Sequence, residues 1–165
     1  TGISIMEVEV RTGVVEDFHE CMRLAISATS ENAVTPPDML KVAQPIYGVL
    51  TKQIPGIIGV IGEPGGKLEG AILLNIGEMW YSKEQIIEER AIFVDPEFRS
   101  AKGGRARKLA EFAKKVSNEL GIPLSIGVLS SSRTAAKMRL YERVFGEPAG
   151  VYFLYGAKTG MTGET

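Results

Sequence analysis

Ile92-Phe-Val-Asp-Pro-Glu-Phe-Arg-Ser-Ala-Lys-Gly-Gly-Arg-Ala-Arg-Lys-Leu109 is the stretch on which the reading of the fold turns. An apolar run is halted by Asp95-Pro96, because proline cannot continue a strand ladder. A basic segment follows, with Gly103 and Gly104 among the cations Arg99, Lys102, Arg105, Arg107 and Lys108. It opens onto the clearest helical pattern in the chain: Leu109, Phe112, Ala113, Val116 and Leu120 recur three and four residues apart, and Gly121 closes the run. Strand, glycine-bearing loop and helix in this order make a cradle for phosphate. Glycine lets backbone N–H groups approach an anion, a helix start offers unpaired donors and the positive end of a dipole, and Arg or Lys adds charge-assisted bonds. An ordinary solvated basic loop is the competing reading. The segment is not a Walker loop, which needs Gly-Lys-Ser/Thr at the helix start. Nor is it a dinucleotide fingerprint, which needs a third glycine and a place after the first strand.

Working outward toward the N-terminus, Ile86 to Val94 reads as the strand that feeds this loop, and Ile57–Ile61 and Leu68–Ile76 flank the turn chemistry of Glu63-Pro-Gly-Gly-Lys67 as a hairpin. Before them, Glu16–Ser30 has helical spacing, and Pro36-Pro37-Asp38 opens a second helical stretch in which Pro45 predicts a break or kink. Ile3–Val10 alternates and predicts a first strand. Beyond Gly121, Leu124–Leu129 reads as a strand, Thr134–Val144 as a helix with Met138 and Tyr141 on one stripe, and Val151–Tyr155 as a closing strand. The order βααββ-βαβαβ predicts an α+β fold, a mixed sheet with helices on both faces and a parallel pair in its middle. Residues 1–157 are expected to form one domain and 158–165 a flexible tail.

A chain of 165 residues, 44% hydrophobic and 24% charged, has the composition of one globular domain. Its net charge of −1 means that attraction for an anion must come from local clustering. Cys21 is the only cysteine, which excludes an intramolecular disulfide and a cysteine-built metal site, and it reads as a small buried hydrophobe. His19 is the only histidine and lies in a helix without a nucleophile motif nearby, an unpromising start for a catalytic triad. No apolar run approaches the length of a membrane span, and a cytoplasmic location with no membrane partner is the expectation. Nucleic acid is not an expected partner either, because no stacking aromatics interleave with the cations.

Val94-Asp-Pro-Glu-Phe-Arg99 with the basic glycine loop after it resembles the acyl-CoA-binding segment of the GNAT N-acetyltransferase superfamily, in which a Val-x-Pro strand end precedes a Gln/Arg-x-x-Gly-x-Gly/Ala loop. Ala101 stands where that pattern has Gln or Arg, and the loop is about two residues longer than the pattern. A second match lies in Arg133-Thr-Ala-Ala-Lys-Met-Arg-Leu-Tyr-Glu-Arg-Val-Phe-Gly146, similar to the family's helix ending in Leu-Tyr-x-x-x-Gly. The two segments occur in the family's order with one strand between them, so the resemblance covers nearly the whole chain. The wording of Gly127–Lys137 and of Gly146–Gly150 is similar to the small GNAT proteins encoded in phage and prophage genomes.

The resemblance implies acetyl transfer from acetyl-CoA (CoA) to a primary amine by direct attack, with a small-molecule or peptide amine as acceptor. It implies a cofactor site of Arg99, Lys102, Gly103, Gly104, Arg105, Ala106 and Thr134, together with the amides of Phe93 or Val94 that polarise the acyl carbonyl. Tyr141 is the implied acid, with packing on the apolar stripe as its other reading. The implied base is a carboxylate of the central strand, where Glu88 and Glu89 stand side by side and alternate faces. Glu88 shares a face with Arg90, Ile92 and Val94 and is favoured as placed like the glutamate in some members of the family, whereas others place their acid where Arg90 stands. Glu78, Trp80 and Tyr81 precede that strand and could line the acceptor site, Trp80 alternatively capping the core. A non-catalytic acyl-CoA-binding protein of the same fold is the main alternative, and pairing into a homodimer is compatible with the pattern.

Overall fold

The computed structural model describes residues 8–99, 103–130 and 133–157. Chain order gives β1 (Arg11–Thr12), α1 (Phe18–Asn32), α2 (Met39–Leu50), β2 (Gly56–Ile61), β3 (Gly70–Glu78), β4 (Gln85–Val94), α3 (Arg105–Leu120), β5 (Leu124–Ser125) and α4 (Thr134–Phe145), with short 3-10 turns at Val15–Asp17 and Pro96–Phe98. The sheet runs β1-β2-β3-β4-β5, antiparallel throughout except for the parallel β4–β5 pair. This is the expected mixed α+β architecture.

Two apolar layers hold the sheet between helices. On one face Cys21, Leu24 and Ala25 of α1 and Ile46, Val49 and Leu50 of α2 pack on Ile58, Val60, Ala71, Leu73 and Phe93. On the other, Leu109, Ala113 and Val116 of α3 pack on Ile61, Ile72, Leu74 and Ile87. β-branched residues dominate β2, where a pleated, two-sided burial suits them. The start of α2 is fixed by Asp38, whose carboxylate accepts hydrogen bonds from the N–H groups of Leu40 and Lys41. The expected break at Pro45 does not occur: α2 runs unbroken through it, its apolar face held by the burial of Ile46, Val49 and Leu50. In α3, Gly121 adopts φ 69 and closes the helix by donating its N–H to Ser117.

Three strand expectations are corrected. Of the predicted Ile3–Val10 strand, residues 3–7 lie outside the described residues and 8–10 form no ladder; the first pairing is Arg11↔Val60 and Thr12↔Gly59. Leu124–Leu129 pairs only through Leu124 and Ser125. Val151–Tyr155 forms no strand and is exposed, pairing with no strand among the described residues. The tail 158–165 also lies outside the described residues.

The polar scaffold is not visible in the sequence pattern. Asp17 is fully buried and takes both Arg11 nitrogens at 2.9 Å together with the N–H groups of Val14 and Gly65. Arg23 of α1 reaches Asp95 at 2.8 Å, and Asp95 in turn caps the Pro96 turn by accepting from Glu97 N. These bonds fasten the end of β4, and hence the loop behind it, to the α1 layer. No helix among the described residues is long and apolar enough to cross a membrane.

Candidate functional site

The site begins with an irregularity in β4. Leu73 pairs with Ala91 and Leu74 with Glu89, so Arg90 is an extra residue in the strand, a β-bulge. The bulge resets the alternation. Arg90 joins Glu88 on the α1/α2 face, its Nε donating to Asn75 Oδ1 at 3.0 Å and Nη2 lying 3.6 Å from Glu88. Ala91 and Phe93 pack on the same side, whereas Ile92 and Val94 pack with Ile87 on the α3 side. Glu89 sits on that second side, opposite Leu74. The expected grouping of Glu88 with Ile92 and Val94 is therefore overturned, because one inserted residue inverts the phase of everything beyond it.

β5 covers β4 only at Ile87↔Leu124 and Glu88↔Ser125. From Glu89 onward no described strand pairs with that edge. Asp95 N donates to Glu69 O of the β3 side, so by ladder alternation the Phe93 N–H also points to β3, and the N–H groups of Ile92 and Val94 point into the opening. Of the two amides singled out in the sequence, that of Val94 points into the opening and that of Phe93 is occupied by the sheet.

Beside the opening, α4 bridges the helix layers. Lys137 Nζ donates to Asn32 Oδ1 of α1 at 3.1 Å and to Ser130 Oγ at 3.0 Å, while Lys114 Nζ of α3 donates to the Val144 carbonyl at 3.0 Å. Burial lowers the Lys137 pKa, helped by the charges of Arg133 and Arg99. Tyr141, one turn further along α4, is half-buried against Phe145. Burial pushes its hydroxyl pKa well up, and the negative charge of Glu89, within electrostatic reach, adds to the rise. Burial pushes the Glu89 carboxyl to about 7, against one opposing hydrogen bond from Gly127 N at 3.4 Å. A carboxyl at that value exchanges a proton near neutrality, and a phenol held above its ordinary value keeps its own.

The loop beyond β4 starts α3 without a side-chain cap: Gly104, at φ 53, precedes the helix, and no cap side chain accepts from its first-turn N–H groups. Gly103 is at φ 107, and a Cβ there would stand 2.6 Å from Val8 Cγ2, so only glycine fits. Lys102 lies outside the described residues. The cationic side chains are largely engaged: Arg99 is bidentate to Glu31 at 2.9 and 3.1 Å, Arg105 reaches Glu69 at 2.8 Å and stacks on Phe98, and Arg107 pairs with Glu111. Ala106 lies in the first turn of α3, and Thr134, exposed at the start of α4, makes a long contact to Ser130 O.

On the α1/α2 face a groove of about 560 Å³ is lined by Lys41, Gln44, Asn75, Glu88 and Arg90 among others. Glu88 thus belongs to a groove on the side of the sheet away from Tyr141. Trp80 does not cap the core; it is exposed and stacks edge-on against Tyr81. Gly127 and the Lys137–Asn32 contact escape the sequence reading. The i,i+4 spacing of Lys137 and Tyr141 is the one signal that could place Lys137 on the same face of α4.

No protein-family model matches the chain, and no curated protein matches it in sequence. Solved structures do match. A possible acetyltransferase from Clostridium difficile 630 superposes with a TM-score of 0.68 at 15% identity, over 93% of this chain and 98% of that one. An integron cassette protein from the mobile metagenome of Cole Harbour Salt Marsh gives 0.66 at 22% identity, over 92% and 91%. AAC(6')-Iy, in complex with the bisubstrate analog CoA-S-monomethyl-acetylneamine, gives 0.63 at 14% identity, over 93% and 99%. The chain has the fold of GNAT acetyltransferases.

Proposed function

We propose that this chain is an acyl-CoA-dependent N-acyltransferase, a single acyl-CoA-binding domain over residues 1–157, with Glu89 as the base and Tyr141 as the acid. The observation that carries the reading is the uncovered stretch of β4 from Glu89 onward, where a buried carboxyl at about 7 lies within electrostatic reach of the Tyr141 hydroxyl. The residues present fit acetyl-CoA. The Ile92 and Val94 amides face the opening as a strand-like partner for its arm, and Gly103, Gly104 and the first-turn N–H groups of α3 suit its phosphates. Acetyl-CoA, when bound, supplies the activated acyl group.

The protein's part is proton management and positioning. Glu89 takes a proton from the acceptor amine, which is protonated in water and must be neutral to attack. Tyr141 keeps its proton and holds it for the departing side. The Val94 N–H offers a fixed dipole for developing negative charge. The acceptor is an amine that enters beside the uncovered stretch of β4, where Glu89 stands.

Thermal denaturation with acetyl-CoA, CoA and ADP tests cofactor binding, since a ligand selective for the folded state raises the melting temperature. Release of free thiol from acetyl-CoA across a panel of amines, compared with Glu89→Gln and Tyr141→Phe, tests catalysis. Absence of stabilisation by millimolar acetyl-CoA sinks the reading. Stabilisation without transfer to any amine, unchanged by both substitutions, would make the chain a non-catalytic acyl-CoA-binding protein of this fold.

A further inference from the structure

Cations from the loop beyond β4 and from the start of α4 meet at the end of α1. Arg99 holds the Glu31 carboxylate in a fork at 2.9 and 3.1 Å, and Arg133 lies 3.7 Å from the same carboxylate. Both arginines are within electrostatic reach of Lys137, and Glu31 is the one acidic group among the described residues that acts on it. The two hydrogen bonds that Lys137 donates go to neutral oxygens, Asn32 Oδ1 and Ser130 Oγ. Three positive charges thus share one carboxylate, in a chain whose net charge is −1. A local excess of this kind attracts an anion. Arg133 can meet it, because its side chain is 44% exposed and its ion pair is longer than a hydrogen bond.

The cluster borders the opening that holds Glu89. Arg133, Lys137 and Tyr141 follow one another at intervals of four along one face of α4 and its N-cap. With a rise of about 1.5 Å per residue, Lys137 stands about 6 Å and Arg133 about 12 Å along the axis from Tyr141. Ser130, which accepts from Lys137, is close in sequence to Gly127, whose N–H reaches Glu89. The cluster is separate from the glycine loop at the start of α3, since Glu31 and Asn32 anchor it to α1, on the other face of the sheet from α3.

We propose that Arg133 and Lys137 bind a carboxylate carried by the acceptor, which makes the acceptor an amino acid or short peptide rather than a plain amine or polyamine. The inference rests on the acyltransferase reading. The fork between Arg99 and Glu31 shows that the cluster already suits a carboxylate, and a second one beside Arg133 and Lys137 would bring the local charge nearer to balance. A polyamine would bring further positive charge to the same place and be repelled. With its carboxylate held there, the acceptor has its amine directed along α4 toward Tyr141 and Glu89, which is how a positioning contact raises the rate.

ε-Aminocaproate and n-hexylamine differ only by a carboxylate in place of a methyl group. In thiol release from acetyl-CoA, kcat/KM is expected to be roughly tenfold or more higher for ε-aminocaproate, as a hydrogen-bonded charge pair provides. Arg133→Asn, a residue that tolerates the φ of 53 at this position, and Lys137→Met are each expected to shrink that preference by raising KM for ε-aminocaproate. Lys115→Gln, on the outer face of α3, should keep it. Equal kcat/KM for the two amines, or a preference that survives both substitutions, overturns the proposal. So does an Arg133→Asn protein that loses its stabilisation by CoA, because the charge then serves the cofactor. Thermal denaturation with each amine, in the presence and absence of CoA, reads the subsite without transfer. ε-Aminocaproate that stabilises more than n-hexylamine in a protein that transfers to neither supports the subsite and removes the catalytic reading. Transfer to both amines with no added stabilisation by ε-aminocaproate removes the subsite and leaves the catalytic reading standing.

Discussion

Replacing Glu89 with glutamine should make the protein more stable and less active at once, with a pH signature that identifies the cause. The carboxyl titrates at about 7 rather than at its ordinary 4.5 because folding buries it. The folded state therefore holds the proton more tightly than the unfolded chain does. Stability is highest below about 4.5, falls as pH rises through the window to about 7, and is flat beyond it. At about 1.4 kcal/mol per tenfold in proton affinity the full effect is about 3 kcal/mol. Half of it is set aside for solvent screening at a partly reachable site, leaving ~1.5 kcal/mol. For a chain of this size that is a rise of roughly 3–6 °C in melting temperature. Glutamine remains neutral and can still accept from Gly127 N, so the substitution should show this gain at about pH 8.5 and none at about pH 4. Scanning calorimetry across that range is the assay, run beside acetyl transfer, which in the parent protein should increase as pH passes through about 7. A Glu89→Gln protein no more stable than the parent at the alkaline end, or a difference that does not vary with pH, would refute the claim that burial strains this carboxylate.

Tyr141→Phe should lower the transfer rate by roughly 10²-fold or more, with circular dichroism unchanged, because the ring contact with Phe145 is kept. Asp17→Asn should cost about 1–3 kcal/mol in urea unfolding, since it removes the charge from a buried carboxylate that accepts from both Arg11 Nη atoms, while Arg11 keeps its bond to Gly62 O. Burial works to raise the Asp17 carboxyl pKa, but hydrogen bonds from Arg11, Val14 and Gly65 hold it below the usual carboxylate range. The stability it confers is thus present above about 4 and lost as pH falls through the lower folded value, a slope that Asp17→Asn should flatten. Gly59→Ala would place a methyl 2.6 Å from the Phe112 ring and should destabilise by about 1–3 kcal/mol in the same assay. Gly104→Trp should abolish any stabilisation by CoA, measured by thermal shift, while Glu88→Gln leaves it intact.

Legibility in the sequence follows how local each signal is. The helical stripe of Leu109, Ala113 and Val116 and the hairpin around Glu63–Lys67 are readable because neighbouring residues decide them. Pro45 does not end α2 because a missing N–H is a local penalty, whereas the burial of Ile46, Val49 and Leu50 is tertiary and outweighs it. Val151–Tyr155 has the composition of a strand, but a strand needs a partner edge, and composition says nothing of where that edge lies. The Asp17–Arg11 pair and the Arg23–Asp95 tie link residues by geometry alone. Nothing in the pattern around them distinguishes these side chains from solvated surface charges.

The choice between Glu88 and Glu89 turns on a single residue. A strict period of two places Glu88 with Ile92 and Val94, and the resemblance then favours it as the base. Arg90 is an insertion in the ladder, and its effect is not confined to its own position. It returns the later residues to the opposite phase, so that Glu89, Ile92 and Val94 share the α3 side, while Glu88 is turned to the α1/α2 groove with Asn75 and Arg90. The β4–β5 ladder ends at Glu88, next to that insertion. Bulges bend a strand and increase its twist, so the same inserted residue accounts for the opening along β4 and for the identity of the carboxylate that faces α4. A sequence shows a bulge only through its partner strand, and the adjacent residues Leu73 and Leu74 give no sign that their partners, Ala91 and Glu89, are not adjacent too.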